Sequence, residues 1–126
     1  MNYGTTMLKI NIKGNGLDLT PAIREYIEEK IGRLEKFLPK NSETEIIARV
    51  EISRTTKHHQ KGPVFRAEAN ISLGVNLLRG EQDDWDIRVA IDQVENKLEQ
   101  EIKKLNEKNR PQDSKGQKEL RALRGK

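Results

Sequence analysis

Cysteine is absent from this chain of 126 residues. That excludes disulfides and thiolate metal sites and suits a reducing cytoplasm. Met1–Thr6 has neither a basic start nor an apolar run and does not read as a signal peptide. Nothing approaches the roughly 20 consecutive apolar residues that a membrane span requires. Chemistry-bearing residues are sparse. The two histidines, His58 and His59, are adjacent in one polar stretch, a spacing unsuited to ligands that must face one way. They read as solvated loop residues or a nucleic-acid contact. The "GNG" at Gly14–Gly16 lacks the spacing and following lysine of a phosphate loop, so it reads as a turn. Ser53 and Ser72 have no visible base. Glu28, Glu35, Asp92, Glu95 and Glu99 occupy helix-surface positions. Trp85 reads as a hydrophobic anchor near a helix start. No catalytic, metal or cofactor constellation emerges.

What is present is charge. Asp, Glu, Lys and Arg make up 35% of the chain against 33% hydrophobic residues, with a net charge of +4 and a pI near 9.4. This length and composition suit one domain with a modest core, and the balance permits a nucleic-acid partner. Leu8, Ile10 and Ile12 alternate with polar residues, as in a strand with one buried face. Thr20–Pro21 is a helix start, and Pro39 stops that helix after about Leu38. Further strands are expected over Glu45–Ser53, Val64–Leu73 and Leu77–Gln82. Val64–Leu73 puts Phe65, Ala67, Ala69, Ile71 and Leu73 inward. Asp84 or Asp86 then caps a helix to about Lys108, with Ile87, Ile91, Val94, Leu98, Ile102 and Leu105 as its apolar stripe.

The order is β-α-β-β-β-α: an α+β domain with a four-stranded mixed sheet and two near-parallel helices on one face. Residues 1–6 read as a flexible leader, 7–108 as the domain and 109–126 as a disordered basic tail.

Both helices sort their charges by side. In the first, Ile23, Ile27, Ile31 and Leu34 share one narrow arc, with Tyr26 and Phe37 at its margin. Glu28 and Glu35 flank the arc on one side; Lys30, Arg33 and Lys36 flank it on the other. In the second, Lys97, Lys104 and Lys108 lie opposite Asp92, Glu95 and Glu99. With a right-handed first crossover and sheet order 1-2-3-4, the Lys97/Lys104 flank faces Glu28 and Glu35. The outer flank, Lys30, Arg33, Lys36 and Lys40, then has no acidic neighbour helix. It reads either as a solvated face or as a phosphate-binding surface.

"LTPAIREYIEEKIGRLEKF" resembles the first helix of the ribosome hibernation promoting factor and ribosome-associated inhibitor family. "LLRGEQDDWDIRVAIDQVENKLEQEIKKL" resembles its last strand and helix, and the resemblance spans about Met7–Lys108. It implies a non-enzymatic, cofactor-free cytoplasmic protein with no membrane or small-molecule partner, monomeric when free. Such a protein binds the small ribosomal subunit between head and body, over ribosomal RNA. There it blocks the messenger and transfer RNA sites and preserves idle ribosomes in stress or stationary phase. The family's RNA-contacting positions are matched by Arg24, Lys30, Arg33 and Lys36, and by Lys97, Lys104 and Lys108.

Two local departures stand out. Ile87-Arg88 replaces a frequent Met-Tyr, and "LEQE" puts Gln100 where an arginine is common. The chain reads as a short form without the separate dimerisation domain of longer members, which leaves direct ribosome dimerisation open. The alternatives are a protein-contact transcription regulator acting on a sigma factor, and a general binder of structured RNA.

Overall fold

The computed structural model describes residues 8–38, 45–56 and 63–108. The leader, Lys40, His58, His59 and the tail 109–126 lie outside the described residues. The elements are β1 (Leu8–Asn15), α1 (Pro21–Gly32), a 3₁₀ turn (Arg33–Phe37), β2 (Ile46–Thr56), β3 (Pro63–Leu73), β4 (Asn76–Asp84) and α2 (Ile87–Lys108). The sheet order is β1-β2-β3-β4, with β1–β2 parallel and the other two pairings antiparallel. The expected architecture is the observed one.

Local chemistry sets the helix ends. The Thr20 hydroxyl accepts a hydrogen bond from Ile23 N at 3.2 Å, and Pro21 occupies the first turn. The α-helix was expected to reach Leu38; instead it tightens into the 3₁₀ turn at Arg33. Leu38 is extended, with φ −82° and ψ 156°, because the proline that follows disfavours helical backbone before it. Asp84 and Asp86 both serve the start of α2. Asp84 accepts from Asp86 N at 2.7 Å, and Asp86 accepts from Arg88 N at 2.9 Å.

The period-2 pattern puts one sheet face against both helices. Ile10, Ala48, Ile71 and Leu78 form one cross-strand row on that face; Ile12, Val50, Ala69 and Gly80 form the next. Ile27, Ile31, Leu34, Ile91, Val94, Leu98 and Ile102 close over these rows from the helices. The second row is small where α2 crosses it. A Cβ on Gly80 would lie 3.2 Å from Val94 O and 3.4 Å from Leu98 Cγ, so glycine lets helix and strand backbones approach closely.

Two strand details differ from expectation. β1, β2 and β4 run further than expected, to Asn15, Thr56 and Asp84, so Gly14 and Asn15 pair with Ile52 and Ser53 in the sheet instead of forming the turn. Phe65 is only half-buried and lies outside the core, whereas Val64, of opposite parity, is buried. Phe65 sits between Arg54 and Asp84 in register, at a polar end of the sheet beyond the apolar helix stripes.

Candidate nucleic-acid interface

Contacts between the helices establish their direction and their facing sides. Tyr26 meets Arg88 and Asp92, Lys30 meets Asp92, and Phe37 meets Lys103 and Asn106. Numbers rise together along both helices, so α1 and α2 run the same way, as expected. The facing flanks, however, are the reverse of the expected pair.

The basic side of α1 turns toward the acidic side of α2. Lys30 Nζ lies 3.6 Å from Asp92 Oδ1, with its side chain only 20% exposed. Glu35 instead points outward and accepts from Leu8 N at 3.2 Å, while Lys97 reaches the outer strand, β4. The expectation rested on a right-handed β1–α1–β2 crossover. Sheet order and helix direction hold, so it is the hand of the crossover that differs: the opposite hand sets α2 beside Lys30 and Arg33.

This groove is bound by specific contacts. The Tyr26 hydroxyl donates to Asp92 Oδ1 at 2.7 Å. That hydrogen bond, burial and the Asp92 charge together push the phenol up to about 12. Lys30 Nζ and the Arg88 guanidinium lie 5.4 and 5.6 Å from the Tyr26 ring centroid, within range of cation–π attraction. Arg88, the departure noted in the sequence, thus caps an aromatic. Burial raises the Glu95 carboxyl, opposed by the charges of Lys30 and Arg33.

The sequence-derived site residues therefore divide. Lys30 is engaged within the groove, and Arg33 pairs with Glu29 at 3.2 Å. Arg24 is exposed near the start of α1, away from the others. Lys97 donates to Glu81 O at 2.7 Å and Gln82 Oε1 at 2.8 Å; both acceptors are neutral, and no carboxylate is paired to it among the described residues. Lys36, Lys104 and Lys108 are exposed where both helices finish, with no carboxylate paired to them among the described residues.

Lys103, which sequence reasoning did not single out, joins this end. Lys36 Nζ and Lys103 Nζ each lie 5.1 Å from the Phe37 ring centroid, so one aromatic gathers two ammonium groups. In the sequence Lys103 is masked as an ordinary i, i+4 partner of Glu99, a pair that does form at 2.8 Å.

Trp85 is corrected as well. It is 53% exposed beside an exposed Val89, so it does not anchor the helix start. Among the described residues no group of three or more His, Asp or Glu is placed to hold a metal ion. No helix among them is long and apolar enough to cross a membrane.

A two-layer α+β domain with Lys36 and Lys103 sharing one aromatic ring at the end of its helical layer presents a surface suited to anionic polymers. A family model described as "Sigma 54 modulation protein / S30EA ribosomal protein" matches residues 10–110, and the chain belongs to this family. It is 38% identical over 98 residues to a ribosome hibernation promotion factor of Lactococcus lactis, covering 78% of this chain and 49% of that one. It is 34% identical over 115 residues to the Staphylococcus aureus protein of the same name, covering 90% and 57%. The chain thus spans about half the length of the curated relatives it matches.

Among solved structures, the N-terminal domain of Thermus thermophilus Protein Y matches with a TM-score of 0.63 and 32% identity. That match covers 79% of this chain and 99% of that one. A ribosomal subunit interface protein from Coxiella burnetii shares the fold, with a TM-score of 0.58 and 24% identity over 79% of this chain and 98% of that one.

Proposed function

We propose that this protein is a cytoplasmic ribosome hibernation factor, monomeric when free. In this reading it binds the small ribosomal subunit over ribosomal RNA and sterically blocks the messenger and transfer RNA sites. The observation that carries the reading is the meeting of Lys36 and Lys103 over the Phe37 ring, with Lys104 and Lys108 exposed in the last turns of α2. Family membership and the names of the relatives support a ribosomal partner.

The correction to the groove changes which residues bear the contact. Lys36, Lys104 and Lys108 meet phosphates directly, and Lys97 extends the line along α2. Arg24 adds a separate contact. Lys30 acts mainly by holding the two helices together through Asp92, and Arg33 is already paired with Glu29 within its own helix.

The test is cosedimentation with small subunits across a salt series. Log affinity falls with log salt by about 0.7–0.9 per phosphate contact. The pair Lys36→Gln and Lys104→Gln should therefore bind more weakly, with a slope shallower by roughly 1.4–1.8 units. Glu25→Gln with Glu28→Gln, on the acidic outer surface of α1, should bind at least as well as the parent. Parental affinity and slope in the lysine pair would reject this contact surface. Bound protein should also exclude transfer RNA from the subunit, and undiminished transfer RNA binding would reject the blocking role. Copurification with RNA polymerase in place of ribosomes would favour the sigma-factor reading.

A further inference from the structure

The sheet face turned away from the helices carries two very different charge arrangements. Its β3–β4 half neutralises itself. Arg66 pairs with Glu81 at 2.6 Å and Asp83 at 3.8 Å, while Arg79 pairs with Glu68 at 2.8 Å and Glu81 at 3.1 Å. Its β1–β2 half does not. Lys9, Lys13 and Arg49 are exposed there, and none has a carboxylate paired to it among the described residues. Glu51, opposite Lys13 in register, offsets only part of this charge.

We propose that the β1–β2 half of the open sheet face is a second phosphate-binding surface, taking the backbone of folded RNA across Lys9, Arg49 and Lys13. The inference rests on the RNA-binding reading above and adds a face that reading does not use. Arg49 is the register partner of Asn11, so it sits midway between the two lysines on the neighbouring strand. Strand rise and spacing put its Cα roughly 8 Å from each of theirs. That is about one Debye length at physiological salt, so the three potentials reinforce one another.

Arg49 also lies between Asn11 and Asn70 in one cross-strand row. Guanidinium and amide groups side by side suit phosphate and sugar oxygens. The same residues, with Lys13 and the carboxylates Glu51 and Glu68, line an open concavity of about 360 Å³; Glu68 is already paired with Arg79. A small anion would need enclosure that this basin lacks, whereas a polymer phosphate chain makes its contacts along an open, ridged surface. With lysines at the helix ends and these cations on the opposite layer, the domain sits between two RNA surfaces.

The experiment uses the full chain with Lys9→Gln, Lys13→Gln and Arg49→Gln combined. Binding is read by cosedimentation with small subunits, and separately with a folded RNA duplex, across a salt series. The expected result is a salt slope shallower by about two to three units, with Arg79→Gln on the neutralised half leaving the slope at the parental value. A charge-conserving triple, Lys9→Arg, Lys13→Arg and Arg49→Lys, should keep the parental slope, which separates loss of charge from loss of folding. Parental affinity and slope in the Gln triple, or equal losses in both triples, would overturn the proposal. Failure of the parent to bind ribosomes would reject the hibernation reading instead, and the duplex series would still decide the sheet face.

Discussion

Replacing Tyr26 with Phe removes one hydroxyl and tests how the two helices are tied. The hydroxyl donates to Asp92 at 2.7 Å, and hydrogen bonds to charged acceptors contribute about 1.5–3 kcal/mol. Linkage expresses the same contact as a second figure. Moving a phenol from its ordinary value of 10.0 up to about 12 corresponds to about 2.7 kcal/mol before screening. The groove is open to solvent and Asp92 keeps Lys30 as a partner, so about 1–1.5 kcal/mol is expected at pH 7. In a domain of this size that lowers the melting temperature by roughly 3–6 °C.

The pH dependence has a definite sign. A phenol whose folded value lies above its unfolded value stabilises the fold fully below the unfolded value, near pH 10. That stability is lost as pH rises toward 12. Urea melts of parent and Tyr26→Phe should therefore differ by a constant amount up to about pH 9 and converge between pH 10 and 12. Lysine titration in the same range affects both proteins and cancels in the difference. Equal stabilities at pH 7, or a gap that persists unchanged to pH 12, would refute the account of this contact.

Two further outcomes follow from burial. Leu98 is fully buried between α2 and the sheet, so Leu98→Ala should cost about 2–5 kcal/mol in denaturant melts. Trp85 is 53% exposed, so Trp85→Ala should cost less than about 1 kcal/mol, and the parent's fluorescence should be quenched readily by iodide; a larger loss would restore the anchor role.

Short-range pattern carried most of the architecture. Alternation in "LKINIK" and the Ile23, Ile27, Ile31, Leu34 arc specify element type because each is set by the geometry of its own backbone. Thr20–Pro21 and Asp86 mark helix starts because capping is a contact between near neighbours. The polar tail of β4, by contrast, shows no alternation, so its length to Asp84 is visible only in its pairing with β3. Phe65 looks like a core residue until Arg54 and Asp84 are found on either side of it.

The candidate site was legible in composition but not in arrangement. The sorted charges of both helices are a property of the sequence, since 100° per residue decides which side each lysine takes. Which side then meets the other helix depends on the hand of the crossover, a relation between distant segments that no local pattern encodes. Tertiary packing alone decided that Lys30 joins Asp92 rather than solvent, that Lys36 and Lys103 share the Phe37 ring, and that Lys9, Arg49 and Lys13 gather on one half of the sheet. Register and handedness are global, and they assign each charge either to a partner inside the fold or to a surface where it is free to bind.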